Sequence, residues 1–243
     1  MMGGCAAPPT GKPAPKATPE ELSDRRSAYE RELDHLAKNP ASAPKVEKLW
    51  RGETREKLIS LSFDDGPRPE WIEKLLTILK ANDVKATFYL VGKMVKLNPD
   101  QARKIAADGH EIGNHSYSHP NLSKVSDQDV LEEILAAQNT IRSVTGVTPV
   151  TMRPPGGNIS QAVLAANRKA GLVAMMWDNN PGDYNLKDSN EVKARLLRNL
   201  RPGNLILLHS GLQPTVDMLD SFIKEAKSKG YRFVTHKEYL TLK

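Results

Sequence analysis

LISLSFDDGPRP, residues 58–69, begins as an apolar run and ends on two adjacent carboxylates, Asp64 and Asp65, before Gly66-Pro67 turns the chain. The apolar half reads as a buried strand. Two like charges side by side repel, so a strand that delivers both to its end needs a reason for doing so. Taken alone, Asp-Asp-Gly-Pro is a solvated turn. The rest of the chain argues otherwise.

Apolar runs of the same kind recur at 86–91, 111–114, 150–153, 172–177, 205–208 and 231–235, counting 58–63 as the first. Amphipathic segments separate them near 69–81, 99–108, 126–145, 160–170, 188–200 and 213–229. Strand, helix, strand, repeated, predicts an α/β fold with a parallel sheet under covering helices. Seven strands suit a closed or nearly closed barrel, whose C-terminal rim collects the chemistry. The stripe Leu131, Ile134, Leu135, Gln138 and Ile141 is the expected buried face of one covering helix.

Five of the seven expected strand ends carry a titratable or guanidinium group. Asp64 and Asp65 follow the first, His115 and His119 the third (GNHSYSHPNL), and Arg153 the fourth (TMRPPGG). Asp178 and Asp183 follow the fifth (WDNNPGDY), and His209 the sixth (LILLHSG). The four-residue spacing of His115 and His119 lets both imidazoles point one way, and two histidines with a carboxylate form a common divalent-cation set with open positions. If Asp65 completes that set, the cation offsets its charge, and Asp64 can stand beside it as a general base toward a water on the cation. His209, arriving from the opposite side of the rim, can protonate a leaving group, with Asp183 holding its ring and raising its pKa. Arg153 can fix Asp64 in its charged form. The backbone around Pro155-Gly156 can offer an N–H to a developing oxyanion. These parts describe metal-assisted hydrolysis of an acyl group.

His110 reads as structural, and His35 and His236 are not assigned to the site. Trp177 is expected to be strand-end core, whereas Tyr184 can offer a ring face at the rim.

The N-terminal region differs in character. Residues 1–18 are rich in Pro and Ala and read as a linker, residues 19–38 as a polar helix outside the catalytic core, and residues 39–55 as a second linker. The one cysteine, Cys5, excludes an internal disulfide. It follows Gly3-Gly4 and precedes a Pro/Ala/Lys tether, which resembles a bacterial lipoprotein box lacking its hydrophobic signal; an incidental cysteine fits the composition equally well. The lipid reading places the protein outside the cytoplasm, in the periplasm or cell envelope, with membrane contact only through Cys5. The +6 net charge fits a solvated basic surface or an anionic partner such as a cell-wall polymer. With 5% aromatics and no dense basic block, no nucleic-acid partner is expected.

SFDDGP, HSYSH, RPPGG, WDNNPGDY and LLH occur in that order at successive strand ends. Together they resemble the polysaccharide deacetylase family, the NodB-homology domain of carbohydrate esterase family 4, over about residues 56–243, with residues 1–55 outside it. The resemblance implies a distorted (β/α)7 barrel that removes acetyl groups from N- or O-acetylated glycans. It makes Asp64 the base, and Asp65, His115 and His119 the ligands of a divalent metal, Zn²⁺ first, with Co²⁺ or Ni²⁺ as alternatives. It makes His209 the acid with Asp183 its partner, pairs Arg153 with Asp64, and sets Leu207 against the acetate methyl group. The expected substrate is an acetylated cell-wall glycan, peptidoglycan N-acetylglucosamine first, with chitin, chitooligosaccharides or acetyl-xylan as alternatives. Gly156 stands where the family usually has an aromatic residue, Asn180 where it has aspartate, and Tyr184 where it has tryptophan. The first of these removes a wall from the pocket, and a more open groove suits a bulky glycan. Three rivals stand beside this reading: a glycan-binding pseudoenzyme of the same fold, a non-haem iron oxygenase, and an amidase acting on a small molecule. The helix–strand alternation speaks against the oxygenase, whose usual scaffold is a double-stranded β-helix.

Overall fold

The computed structural model describes residues 17–242. In chain order the helices and strands are α1 Pro19–Lys38, β1 Lys48–Leu49, β2 Leu58–Gly66, α2 Pro69–Ala81, β3 Thr87–Leu90, α3 Gly92–Leu97, α4 Pro99–Ala107, β4 Glu111–Asn114 and α5 Asp127–Thr145. There follow β5 Thr151–Met152, α6 Gln161–Ala170, β6 Val173–Met175, α7 Ser189–Arg198, β7 Leu205–His209, α8 Gln213–Ser228, β8 Arg232–Phe233 and α9 His236–Tyr239. All seven expected strands form. The short β1, α3 and α9 were not expected; none has the length or periodicity that marks an element in a sequence.

All strand pairings are parallel, in the order β1-β6-β5-β4-β3-β2-β7, with β8 beside the first residues of β2. The sheet curls into a barrel that is not closed by a continuous ladder. Backbone contacts bridge the gap instead: the Asp178 and Asn179 N–H groups donate to Leu205, and the Leu207 N–H donates to Asn179. Below them the Gly52 N–H donates to the Gly203 carbonyl. A Cβ on Gly203 would come within 2.2 Å of the Gly52 oxygen, and its φ of +83° suits glycine alone.

β2 lies between β3 and β7 and is buried on both faces. Ile59, Leu61 and Phe63 turn outward into the main core beneath the helices, joined by Phe88, Ile206 and Leu208. Leu58, Tyr89, Val173, Met175 and Leu205 form a smaller interior cluster. Each fully buried side chain of this size contributes about 1.5–3 kcal/mol, so the barrel wall is a stiff support for its rim. Among the covering helices, α5 begins at Ser126, whose hydroxyl caps the Asp129 N–H, and ends at Gly146 in the left-handed region. Its expected stripe is the buried face, with Leu131 partly covered.

The N-terminal segments are built into this unit. Lys48 and Leu49, in the expected second linker, pair with Ala174 and Met175 of β6. Helix α1 lies against α5. The sheet thus starts before residue 56. The expected tether and Cys5 lie outside the described residues.

Candidate active site

The two adjacent aspartates share one mouth because β2 breaks register. Ser62 and Phe63 pair with Thr87 and Phe88, but Gly66 pairs with Leu90, so two residues of β2 oppose one of β3. In a regular strand neighbouring side chains point to opposite faces. The bulge, with Asp65 at φ +68°, cancels that alternation. Both aspartates line the same cavity.

Asp65 meets the two histidines there. Its Oδ1 lies 3.1 Å from His119 Nε2 and 3.5 Å from His115 Nε2. The His115 Nδ1–H donates to the Arg153 carbonyl at 2.6 Å, which fixes the ring and leaves Nε2 facing Asp65. The three donor atoms lie within 4.8 Å of one another. Burial pushes the Asp65 carboxyl up, but the hydrogen bonds and charge of the two imidazoles outweigh it and hold Asp65 well below the usual carboxylate range. Two imidazole nitrogens and one carboxylate oxygen converging on one point, with one ring oriented from behind, fit a divalent cation.

Asp64 is buried next to this set and receives the Arg153 guanidinium at 2.8 Å. Arg153, at 0% exposure, also donates to the Ser62 hydroxyl and the Met175 and Met176 carbonyls, with Tyr89 stacked 4.4 Å away. All three guanidinium nitrogens are engaged, so the residue is held in place.

His209 is not across the rim from β2, as expected, but on the neighbouring strand, in register with Asp64. Parallel β7 pairs directly with β2, which strand spacing along a sequence does not reveal. The His209 ring nitrogen Nδ1 and its backbone N–H both contact Asp183, at 2.8 Å each. Asp183 is buried and also accepts from the Thr215 hydroxyl at 2.7 Å. Burial opposes the imidazolium, but the Asp183 hydrogen bond and charge, with Asp64 and Asp65 further off, raise His209 to about 9. A proton donor must be protonated to act, so activity that depends on it falls as pH rises through that value. In Asp183→Asn the burial penalty acts unopposed by a paired charge. The basic limb of the kcat–pH profile is expected to move down by about two units, toward the ordinary histidine value near 6.5. An unmoved limb would take the proton-donor role from His209.

The cavity has a volume of about 500 Å³ and is lined by Asp64, Asp65, His115, His119, Gly156, Tyr184, Leu207 and His209, among others. Pro155 is buried in its turn, carries no N–H and is not part of the lining. Tyr184 stands edge-on to the His209 ring, 5.5 Å between centroids. Trp177 is half-buried and faces the cavity, not the core. It lies over Gly157, where a Cβ would come within 2.6 Å of the indole. Trp50, half exposed, lines the cavity as well. It comes from the expected second linker, and its only sequence signal was a rare tryptophan beside a short apolar run. Asn180 lines the cavity too. Asp178 turns away from it, toward the Leu205 N–H and the Asn204 side chain. His110 accepts the Ala86 N–H, in line with its structural reading. His236 is buried and joined to the Tyr89 hydroxyl at 2.7 Å.

Fold and site together define a parallel β/α barrel whose rim joins an Asp/His/His triad that could hold a metal ion to a paired carboxylate and a paired imidazole. The polysaccharide deacetylase family model matches residues 51–175, and the chain belongs to that family. It is 38% identical over 181 residues to a peptidoglycan-N-acetylglucosamine deacetylase of Bacillus cereus, an alignment covering 73% of this chain and 66% of that protein. The chain thus spans just under two thirds of that relative's length. A crystal structure of a peptidoglycan N-acetylglucosamine deacetylase superposes with a TM-score of 0.78 at 34% identity, covering 82% of this chain and 95% of that one. A carbohydrate esterase family 4 pseudoenzyme from Bacillus anthracis superposes with a TM-score of 0.76 at 29% identity, covering 79% and 68%.

Proposed function

We propose that the protein is a metal-dependent hydrolase that removes acetyl groups from N-acetylated cell-wall polysaccharide, with peptidoglycan N-acetylglucosamine as its substrate. The observation that carries this is the meeting of the Asp65–His115–His119 triad, Arg153-paired Asp64 and Asp183-paired His209 in one cavity. The name of the Bacillus cereus relative supports the choice of sugar.

Asp65, His115 and His119 would hold the cation, taken to be Zn²⁺, which would supply Lewis-acid polarisation at the site. Asp64, aimed by Arg153, accepts the proton from the attacking water. The Gly156 backbone N–H faces the oxygen that gains charge at the carbonyl. Leu207 bounds the space for the acetyl methyl group. His209, held protonated by Asp183, delivers a proton to the departing amine nitrogen. Trp50, Trp177 and Tyr184 offer ring faces to the sugars on either side. The protein works in the cell envelope, where that substrate lies, and a lipid on Cys5 with the Pro/Ala/Lys stretch as tether would hold it there.

The test is acetate release from peptidoglycan sacculi and from chitooligosaccharides, with and without chelator, with the products weighed by mass spectrometry. Zn²⁺-dependent release from sacculi, abolished by chelator, is expected. Zn²⁺ binding without acetate release from any glycan would align the chain with the pseudoenzyme. His119→Ala removes one of three protein ligands and is expected to weaken Zn²⁺ binding by about 100-fold or more in calorimetry. Parent-like affinity in that variant would refute the ligand assignment.

A further inference from the structure

The span between the two histidine ligands is held from outside. Ser116 at φ +63° and His119 at φ +62° lie in the left-handed region, which residues with a Cβ keep only when their surroundings enforce it. The Gly92 and Lys93 N–H groups, at the start of α3, donate to the Ser116 and Tyr117 carbonyls at 3.0 and 2.8 Å. Glu133 of α5 takes the donors on the other side. Its Oε2 accepts the Tyr117 and Ser118 N–H groups at 2.9 and 2.8 Å, and its Oε1 accepts the Ser118 hydroxyl at 2.6 Å.

Glu133 is 0% exposed. A carboxylate that deep needs a counter-charge as well as neutral donors. Among the described residues the cation that reaches it is Arg25 of α1, at 2.9 Å. The same guanidinium also reaches Asp129 and Glu132, so its fork spans three acids on one face of α5. Helix α1 is seated further by ion pairs of Glu21 with Lys93 and Asp24 with Lys96, both on α3. Tyr117 is buried in the same cluster as Ala28 and Tyr29 of α1.

We propose that Arg25 is a positioning residue for the metal-ligand loop, acting through Glu133, and that α1 is thereby a working part of the active site. This rests on the reading of Asp65, His115 and His119 as a metal site. Without the guanidinium, Glu133 is a buried carboxylate with no counter-charge and turns toward water. That change loosens its hold on the Tyr117 and Ser118 N–H groups and lets His115 and His119 drift apart.

The experiment is Zn²⁺ titration of the metal-stripped full chain by calorimetry, with the visible absorption of the Co²⁺ form as a report on ligand geometry. Arg25→Gln is expected to lose about tenfold or more in Zn²⁺ affinity, the range for partners that orient metal ligands, and to broaden the Co²⁺ bands. Arg25→Lys keeps the charge without the fork and is expected to lose only about threefold. Leu33→Ala, which loosens the apolar contact of α1 without touching Glu133, is expected to lower the Tm yet keep the parent's affinity. Parent-like affinity in Arg25→Gln, or an equal loss in Leu33→Ala, would overturn the proposal. Should Arg25→Gln not fold, Arg25→Lys decides, and parent-like affinity there overturns the proposal as well. A parent that binds no Zn²⁺ at all ends the metal reading and this inference with it. A parent that binds while Arg25→Gln binds equally ends this inference alone.

Discussion

Asp64→Asn is expected to retain Zn²⁺ and to lose acetate release by about 10²–10⁴-fold, the range for removing a general base, or roughly 2.7–5.5 kcal/mol of barrier. The amide has the carboxylate's shape, and its oxygen can still accept from Arg153, so the site should keep its geometry. It cannot take a proton. The metal should stay because the histidine nitrogens converge on Asp65: His115 Nε2 lies 3.5 Å from Asp65 and 3.7 Å from Asp64, and His119 faces Asp65 at 3.1 Å. Calorimetry and turnover on one preparation separate the two effects. A variant that kept half the parent's kcat would move the base elsewhere, and one that lost the metal would make Asp64 a ligand.

Arg153→Met should cost stability more than any other single change at the site. Methionine fills much of the volume but leaves Asp64 buried without its guanidinium partner. The Met175 and Met176 carbonyls and the Ser62 hydroxyl lose their donors as well. Breaking a buried pair from one side costs about 3–5 kcal/mol. At about 2–4 °C per kcal/mol for a chain of this size, the Tm should fall by roughly 6–20 °C. Adding Asp64→Asn should recover part of that loss, because the orphaned charge goes with it. A Tm within about 2 °C of the parent for Arg153→Met would mean that Asp64 finds another partner or meets water.

The Arg25 and Arg153 cases show where the sequence was legible. Arg153 lay at a strand end beside other functional groups, and the strand–helix alternation put it on the rim. Arg25 lay on a helix with charges all round, which reads as a solvated face. Its partners Asp129, Glu132 and Glu133 are more than a hundred residues away, and no periodicity within α1 points to them. Trp50 escaped for a similar reason, since a two-residue strand leaves no pattern. Trp177 was misjudged because its strand was visible while the glycine turn that lets its ring face the cavity was not.

What the chain determined by itself was the order of elements and the groups at their C-terminal ends, because local periodicity and strand-end position are properties of contiguous residues. The tertiary structure alone decided how those groups face one another. The register slip in β2 turned two consecutive carboxylates to one side, β7 came to lie beside β2, and a distant helix brought a guanidinium to the acid that grips the histidine loop. Each depends on pairing between segments far apart in the chain, and a buried charge finds its partner only once that pairing has excluded water.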